Sequence, residues 1–128
     1  MNNFQFAQGI MTVMAIAMIA TSTPALARPA KCEIDLDDGS KGIYVGPCDF
    51  QSEKGGSFSV TSINPKRNLY REIVLITVYV GKDADLPRDQ AFFTYNRLND
   101  RQRNGGQLFR SRSKPACWVN EFNRICVY

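Results

Sequence analysis

Four cysteines and a run of acidic residues at alternate positions carry the reactive side chains of this 128-residue chain, which contains no histidine. Without an imidazole, Ser-His-Asp, Cys-His and histidine-pair ribonuclease mechanisms are excluded. Carboxylate pairs remain: Asp35, Asp37 and Asp38 cluster within CEIDLDDGS, and two acids are enough for glycoside hydrolysis. Their alternation with Ile34 and Leu36, however, places Asp35 and Asp37 on the wet face of a strand, where charge protects a sheet edge. The Asp-x-Asp-Asp run lacks the ligand spacing of an EF-hand, and the Gly55-Gly56 and Gly105-Gly106 pairs read as turns with no phosphate-loop context. The chain is therefore read as a non-enzyme, with no catalytic residue, metal or cofactor assigned.

The cysteines point to structure instead. An even number in an exported chain of this size implies disulfides, and a zinc site would need all four thiolates at spacings unlike those of zinc knuckles. Three pairings are open in principle. From Cys32 the chain alternates with the period of two that marks a half-buried strand. A turn cluster, Asp38-Gly39-Ser40-Lys41-Gly42, leads to a second extended stretch ending at Gly46-Pro47-Cys48. A hairpin folded about Ser40 sets residue 36 opposite 44, 34 opposite 46, and Cys32 opposite Cys48. At the other end, Ala116 to Val119 and Arg124 to Val127 flank the loop Asn120-Glu121-Phe122-Asn123, so that 119 faces 124 and Cys117 faces Cys126. Directly opposed residues of an antiparallel pair lie near the separation a disulfide needs, so the expected bridges are Cys32–Cys48 and Cys117–Cys126.

The oxidising compartment those bridges require is consistent with the amino terminus. Ile10 to Ala20 (IMTVMAIAMIA) has the length of a signal-peptide apolar segment and is too short to span a bilayer. Pro24 and Ala25-Leu26-Ala27 follow, giving a signal peptide over residues 1–27 with cleavage after Ala27. Arg28-Pro29-Ala30-Lys31 ahead of Cys32 does not suit lipidation. Residues 28–128 are expected to form one disulfide-bonded β domain in the periplasm or secreted medium, without a transmembrane anchor.

Between the clasps, Ser57 to Ile63 alternates as a strand with one wet face. Glu72 to Val80 (EIVLITVYV) is β-branched and apolar throughout, which predicts a central strand buried on both faces. Residues 81–90 read as a polar loop with room for a helical turn, Ala91 to Tyr95 as a strand, Leu98 to Asn104 as polar chain, Gly105-Gly106 as a turn, and Gln107 to Arg110 as a last pairing segment. Seven to eight short strands without a helix predict an all-β fold, a small antiparallel barrel or sandwich.

All sixteen basic and twelve acidic residues follow residue 27, for a net charge of +4. The distribution is uneven: Arg97, Arg101, Arg103, Arg110, Arg112 and Lys114 meet only Asp100 within residues 97–114, whereas acids dominate residues 28–53. Such a patch attracts anionic partners. Aromatic residues are interleaved with it. Phe92, Phe109 and Trp118 are expected in the core, whereas Phe122, flanked by Arg124 at the tip of the last hairpin, is expected to project as a contact residue.

Gly42 to Phe50 (GIYVGPCDF), Gly56-Ser57-Phe58, Ala116 to Asn120 (ACWVN) and Ile125-Cys126 resemble stretches of a set of small secreted proteobacterial proteins of uncharacterised function. The likeness covers the clasped ends well and residues 64–105 poorly. It implies the disulfides and brings no activity. In size and export the chain is also similar to periplasmic inhibitors of chicken-type lysozyme, which are disulfide-bonded β barrels. That family's signature loops, Ser-Gly before a tyrosine and a later Thr-Lys-Gly, are absent, and a positive net charge opposes binding to a basic lysozyme.

The function expected from these features is that of an exported, non-catalytic binding protein. Its contact set is Arg97, Arg101, Arg103, Arg110, Arg112, Lys114, Phe122 and Arg124, facing an anionic envelope component or acidic protein rather than nucleic acid. The alternative is an inhibitor of a secreted hydrolase such as lysozyme.

Overall fold

A computed structural model describes residues 27–37 and 42–128. The expected signal segment, apart from Ala27, lies outside the described residues, as do Asp38 and the expected turn centre Ser40. Eight strands run in sequence: β1 (Arg28–Asp35), β2 (Tyr44–Ser52), β3 (Phe58–Thr61), β4 (Ile73–Val80), β5 (Gln90–Arg97), β6 (Gln102–Arg110), β7 (Cys117–Val119) and β8 (Arg124–Val127). Each pairs antiparallel with its sequence neighbour, and β8 returns to β1, so the sheet closes into an up-and-down barrel. Closure leaves no free lateral strand, the outcome that small all-β domains need to avoid open edges.

The period-two pattern fills the interior. Ile34, Val60, Ile76, Val78, Phe93, Leu108, Trp118 and Ile125 point inward and are buried. Leu69 and Tyr70, from the connection between β3 and β4, join this core from one end, where the Tyr70 hydroxyl donates to the Gly42 carbonyl at 2.9 Å. At the other end Ser57, buried at the start of β3, accepts from the Val80 N–H at 2.8 Å and donates to the Asp83 carboxylate. That pair of bonds ties β3 to the 3-10 turn Gly81–Ala84 that follows β4. No helix among the described residues is long and apolar enough to cross a membrane.

Both disulfides form as expected, Cys32–Cys48 and Cys117–Cys126. In the last hairpin Cys117 lies directly opposite Cys126 and Val119 opposite Arg124, with Cα atoms of the cysteines 4.0 Å apart. The first hairpin departs from its expected register by two residues. Cys32 faces Gly46, Ile34 faces Tyr44 and Ala30 faces Cys48, so the bridge joins diagonal neighbours whose Cα atoms are 5.8 Å apart. A two-residue slip preserves every side chain's face, and Gly46 opposite Cys32 contributes no Cβ. One added there would come within 2.9 Å of the Tyr44 hydroxyl, which bends back to donate to the Pro47 carbonyl.

Three further expectations are corrected. Gly105-Gly106 is not a turn: β6 runs straight through it, and a bulge shifts the pairing with β5 between Phe93 and Thr94. A Cβ on Gly105 would sit 2.1 Å from the Phe93 ring, so only glycine lets that ring enter the barrel beneath the strand. The chain reverses instead at Leu98 to Arg101, with Asn99 in the left-handed region. Phe109 is 47% exposed and Phe92 half-buried, because Leu108 and Phe93 take the inward positions in their strands. Trp118 is buried as expected. Finally, β4 buries Ile76, Val78 and Val80 inside the barrel, while on its outer face Leu75 and Tyr79 are only half-covered and Thr77 is buried.

Candidate functional site

Strict alternation of up and down strands sorts the connections between two ends of the barrel. The β1–β2, β3–β4, β5–β6 and β7–β8 connections share one end, and the β2–β3, β4–β5 and β6–β7 connections share the other with the start of β1 and Tyr128. The basic residues divide accordingly. Arg97, Arg101 and Arg103 flank the β5–β6 turn at the first end, whereas Arg110, Arg112 and Lys114 lie at the opposite end. At about 3.3 Å per residue the length of β6 separates the two groups by roughly 20 Å. They do not form one continuous patch.

Several of these cations are already engaged. Arg103 clasps the Asp100 carboxylate through Nε at 3.0 Å and Nη2 at 2.9 Å. The Arg101 backbone N–H, 2.8 Å from Asp100 Oδ1, and then the Arg103 guanidinium hold that carboxyl below the ordinary aspartate range. Arg110 lies over the Trp118 ring, 4.6 Å from its centroid. Arg124, paired in the ladders with Asp35 and Val119, has a buried Nε without a hydrogen-bond partner.

The acidic cluster builds no site among the described residues. Asp35 is half-buried beside Arg124, and Asp37 is exposed. Glu33 approaches the sulfurs of Cys117 and Cys126, but these are bonded to each other and offer no thiolate to an ion.

Phe122 is placed as expected. The Asn120 side chain folds the tip: its Oδ1 accepts from the N–H groups of Phe122 at 2.8 Å and Asn123 at 2.7 Å, and its Nδ2 donates to the Gln107 carbonyl at 2.9 Å. Asn123 Oδ1 in turn accepts from the Asp37 N–H at 3.0 Å. The ring itself is 61% exposed.

It has counterparts that sequence reasoning missed. Ile43 in the β1–β2 connection, Ile63 in β3–β4 and Leu98 in β5–β6 are 54%, 44% and 63% exposed. Every connection at this end thus presents one large apolar side chain to solvent. Lys66, Arg67 and Arg71 in the β3–β4 connection stand with Arg97 and Arg101 around them. Ile63, Pro65, Leu75 and Leu98 line a groove of about 480 Å³ at this end, with Lys66, Arg67 and Asp49 on its walls. The signal that would have found these residues is the one that found Phe122, a lone apolar residue in a polar turn. In the sequence Ile43 and Ile63 sit at the edges of extended stretches and Leu98 opens a polar run, which masks them.

A second concavity lies on the side of the barrel. Tyr79 of β4, Phe92 and Thr94 of β5, and Gln102 and Gln107 of β6 floor a cleft of about 380 Å³, walled by Asp83, Ala84 and Leu86 from the β4–β5 connection. Gln102 Nε2 donates to Thr94 Oγ1 at 2.6 Å and to the Tyr79 hydroxyl at 3.2 Å. Gln107 Nε2 donates to Gln90 Oε1 at 2.6 Å.

Compared with family models, curated proteins and solved structures, the chain matches none.

Proposed function

We propose that this chain is an exported, non-catalytic binding module that docks the four-loop end of its barrel on an anionic phospholipid surface of the cell envelope. The observation that carries the reading is the placement of Ile43, Ile63, Leu98 and Phe122, one exposed apolar side chain in each of the four connections at a single end. Scattered surface hydrophobes need no explanation, but one in every loop of one end, beside cations, has the composition of an interfacial anchor. Export is supported by the apolar run at residues 10–20 and by two disulfides, which persist in oxidising compartments.

The energetics suit reversible docking. Apolar burial contributes roughly 25 cal/mol per Å², and each Lys or Arg close to an anionic membrane adds about 1 kcal/mol, screened within a Debye length. Neither contribution suffices alone. Association therefore requires both anionic lipid and intact tips, and it weakens as salt rises.

Cosedimentation with vesicles containing phosphatidylglycerol is the test. The protein is expected to bind these and not pure phosphatidylcholine vesicles, with affinity falling as salt is raised. Leu98→Ser combined with Phe122→Ser is expected to reduce binding about ten-fold or more while leaving the melting temperature nearly unchanged, since both side chains are largely in water already. Equal binding to neutral vesicles, or binding untouched by the double substitution, would overturn the reading. Absence of binding to either vesicle would overturn it as well.

A further inference from the structure

We infer that the side cleft on β4, β5 and β6 is a binding site for a neutral pyranose sugar, free or as a unit of a glycan. The site is independent of the loop end and of its proposed lipid partner. Three strands place its floor in register: Tyr79 pairs with Phe92, and Phe92 with Gln107, so two rings and an amide stand side by side across the outside of the sheet. Thr94 follows two residues along β5 on the same face, and Gln102 enters from the far end of β6.

The outside of a small barrel is normally convex and wet. Here the β4–β5 connection rises beside it as a wall, and the reason is visible in the chain. Gly81 adopts a left-handed conformation with φ of 57°, turning the backbone out of β4 into the 3-10 turn. Asp83 in that turn is fixed by the Ser57 hydroxyl, and Asp85 closes it in the left-handed region. The resulting cleft falls within the ~300–1,000 Å³ typical of small-molecule sites.

The lining selects the ligand class. It contains no cation and one carboxylate, Asp83, so it disfavours the anions that suit the loop end. Tyr79 and Phe92 offer half-buried aromatic surface for the C–H face of a sugar ring. Gln102 is oriented by its amide bonds to Thr94 and Tyr79, which leaves its Oε1 as an acceptor and the two hydroxyls as donors. Asp83 has one carboxylate oxygen occupied by Ser57 and another remaining for a sugar hydroxyl. Paired apolar faces and mixed donors and acceptors, with one carboxylate and no cation, match a polyhydroxylated neutral ring.

Backbone and side-chain NMR titrations with glucose, N-acetylglucosamine and their β-1,4-linked and α-1,4-linked oligomers test this. Shifts confined to Tyr79, Phe92, Thr94, Gln102 and Gln107 at millimolar sugar or below are expected. A gain of affinity from monomer to oligomer would identify a glycan as the source, and equal affinity a free sugar. Gln102→Ala, at an exposed position, and Phe92→Ala are each expected to weaken the response about ten-fold, with vesicle binding unchanged. The inference is overturned if no neutral sugar perturbs the cleft at millimolar concentration, if only anionic glycans do so, or if Gln102→Ala titrates like the parent protein.

Discussion

Where β4, β5 and β6 meet, the ladders are long. β4 pairs with β5 from Ile73–Arg97 to Val80–Ala91, and β5 with β6 from Gln90–Phe109 to Asn96–Gln102. On the opposite side the barrel closes through a thin seam. β6 touches β7 only at Phe109–Val119 and Arg110–Trp118, β7 pairs with β8 at three positions, and β8 meets β1 between Cys32–Val127 and Asp35–Arg124. The long-ladder region carries no covalent link, whereas the Cys117–Cys126 bridge stands inside the seam and Cys32–Cys48 fastens the strand that receives it. The contrast teaches that the two regions are held by different forces: side-chain packing where strands are long, and restriction of the unfolded chain where strands are too short to hold by pairing alone.

The largest expected effect is on the packed side. Phe93 is 2% exposed and fills the space that Gly105 leaves open, so Phe93→Ala should cost about 3–5 kcal/mol in chemical denaturation. Gly105→Ala alone should cost about 1–3 kcal/mol by driving a methyl into the ring. In the Phe93→Ala background the same glycine change should cost clearly less, since the clash is gone. Additive penalties in that double-mutant cycle would show that the two residues do not share one space.

Next in size is the removal of the bridges. Loop-closure entropy assigns about 3 kcal/mol to Cys32–Cys48 and roughly half a kcal/mol less to Cys117–Cys126, which closes a shorter loop. Paired Cys→Ala substitutions measured by urea denaturation should reproduce that order if chain restriction is the whole effect. If the second bridge also holds the seam mechanically, its loss should raise amide exchange in β7 and β8 while β4 to β6 keep their protection. Uniform loss of protection across the barrel would break the distinction between the two regions.

The same contrast explains what was legible beforehand. A four-residue loop leaves the β7–β8 hairpin almost no freedom of register, so pairing, bridge and exposed tip could all be read from Asn120 to Asn123. The β1–β2 connection is longer, and alternation fixes the faces of Ile34 and Cys32 without fixing which residue of β2 they oppose. Opposed cysteines suggested a register, but a diagonal bridge across Gly46 satisfies the same chemistry. In β6 the arginines near its two ends and the Gly-Gly pair hide a strand, because the reason for Gly105 is a ring contributed by another strand. With residues 98–104 read as polar chain and Gly105-Gly106 as a turn, only Gln107 to Arg110 reads as strand, and the sequence cannot assign the basic residues to opposite ends or bring Gln102 and Phe92 to one cleft.

The smallest effect tests the link between the regions. Above the two-residue β6–β7 ladder, the Asn120 Nδ2 bond to the Gln107 carbonyl fastens the last hairpin to β6, while Asn120 Oδ1 folds the tip. Asn120→Ala removes both roles and should cost about 1–2 kcal/mol, lowering the melting temperature by several degrees. Asn120→Asp separates them, because a carboxylate still accepts from the Phe122 and Asn123 N–H groups but sets an oxygen against the Gln107 carbonyl. Its tip amides should therefore remain protected from exchange while the Gln107 side of the seam opens. If the aspartate variant instead frees the tip amides as the alanine variant does, the Gln107 bond, rather than the local cap, holds the hairpin in shape, and the seam depends on β6 more than on its own disulfide.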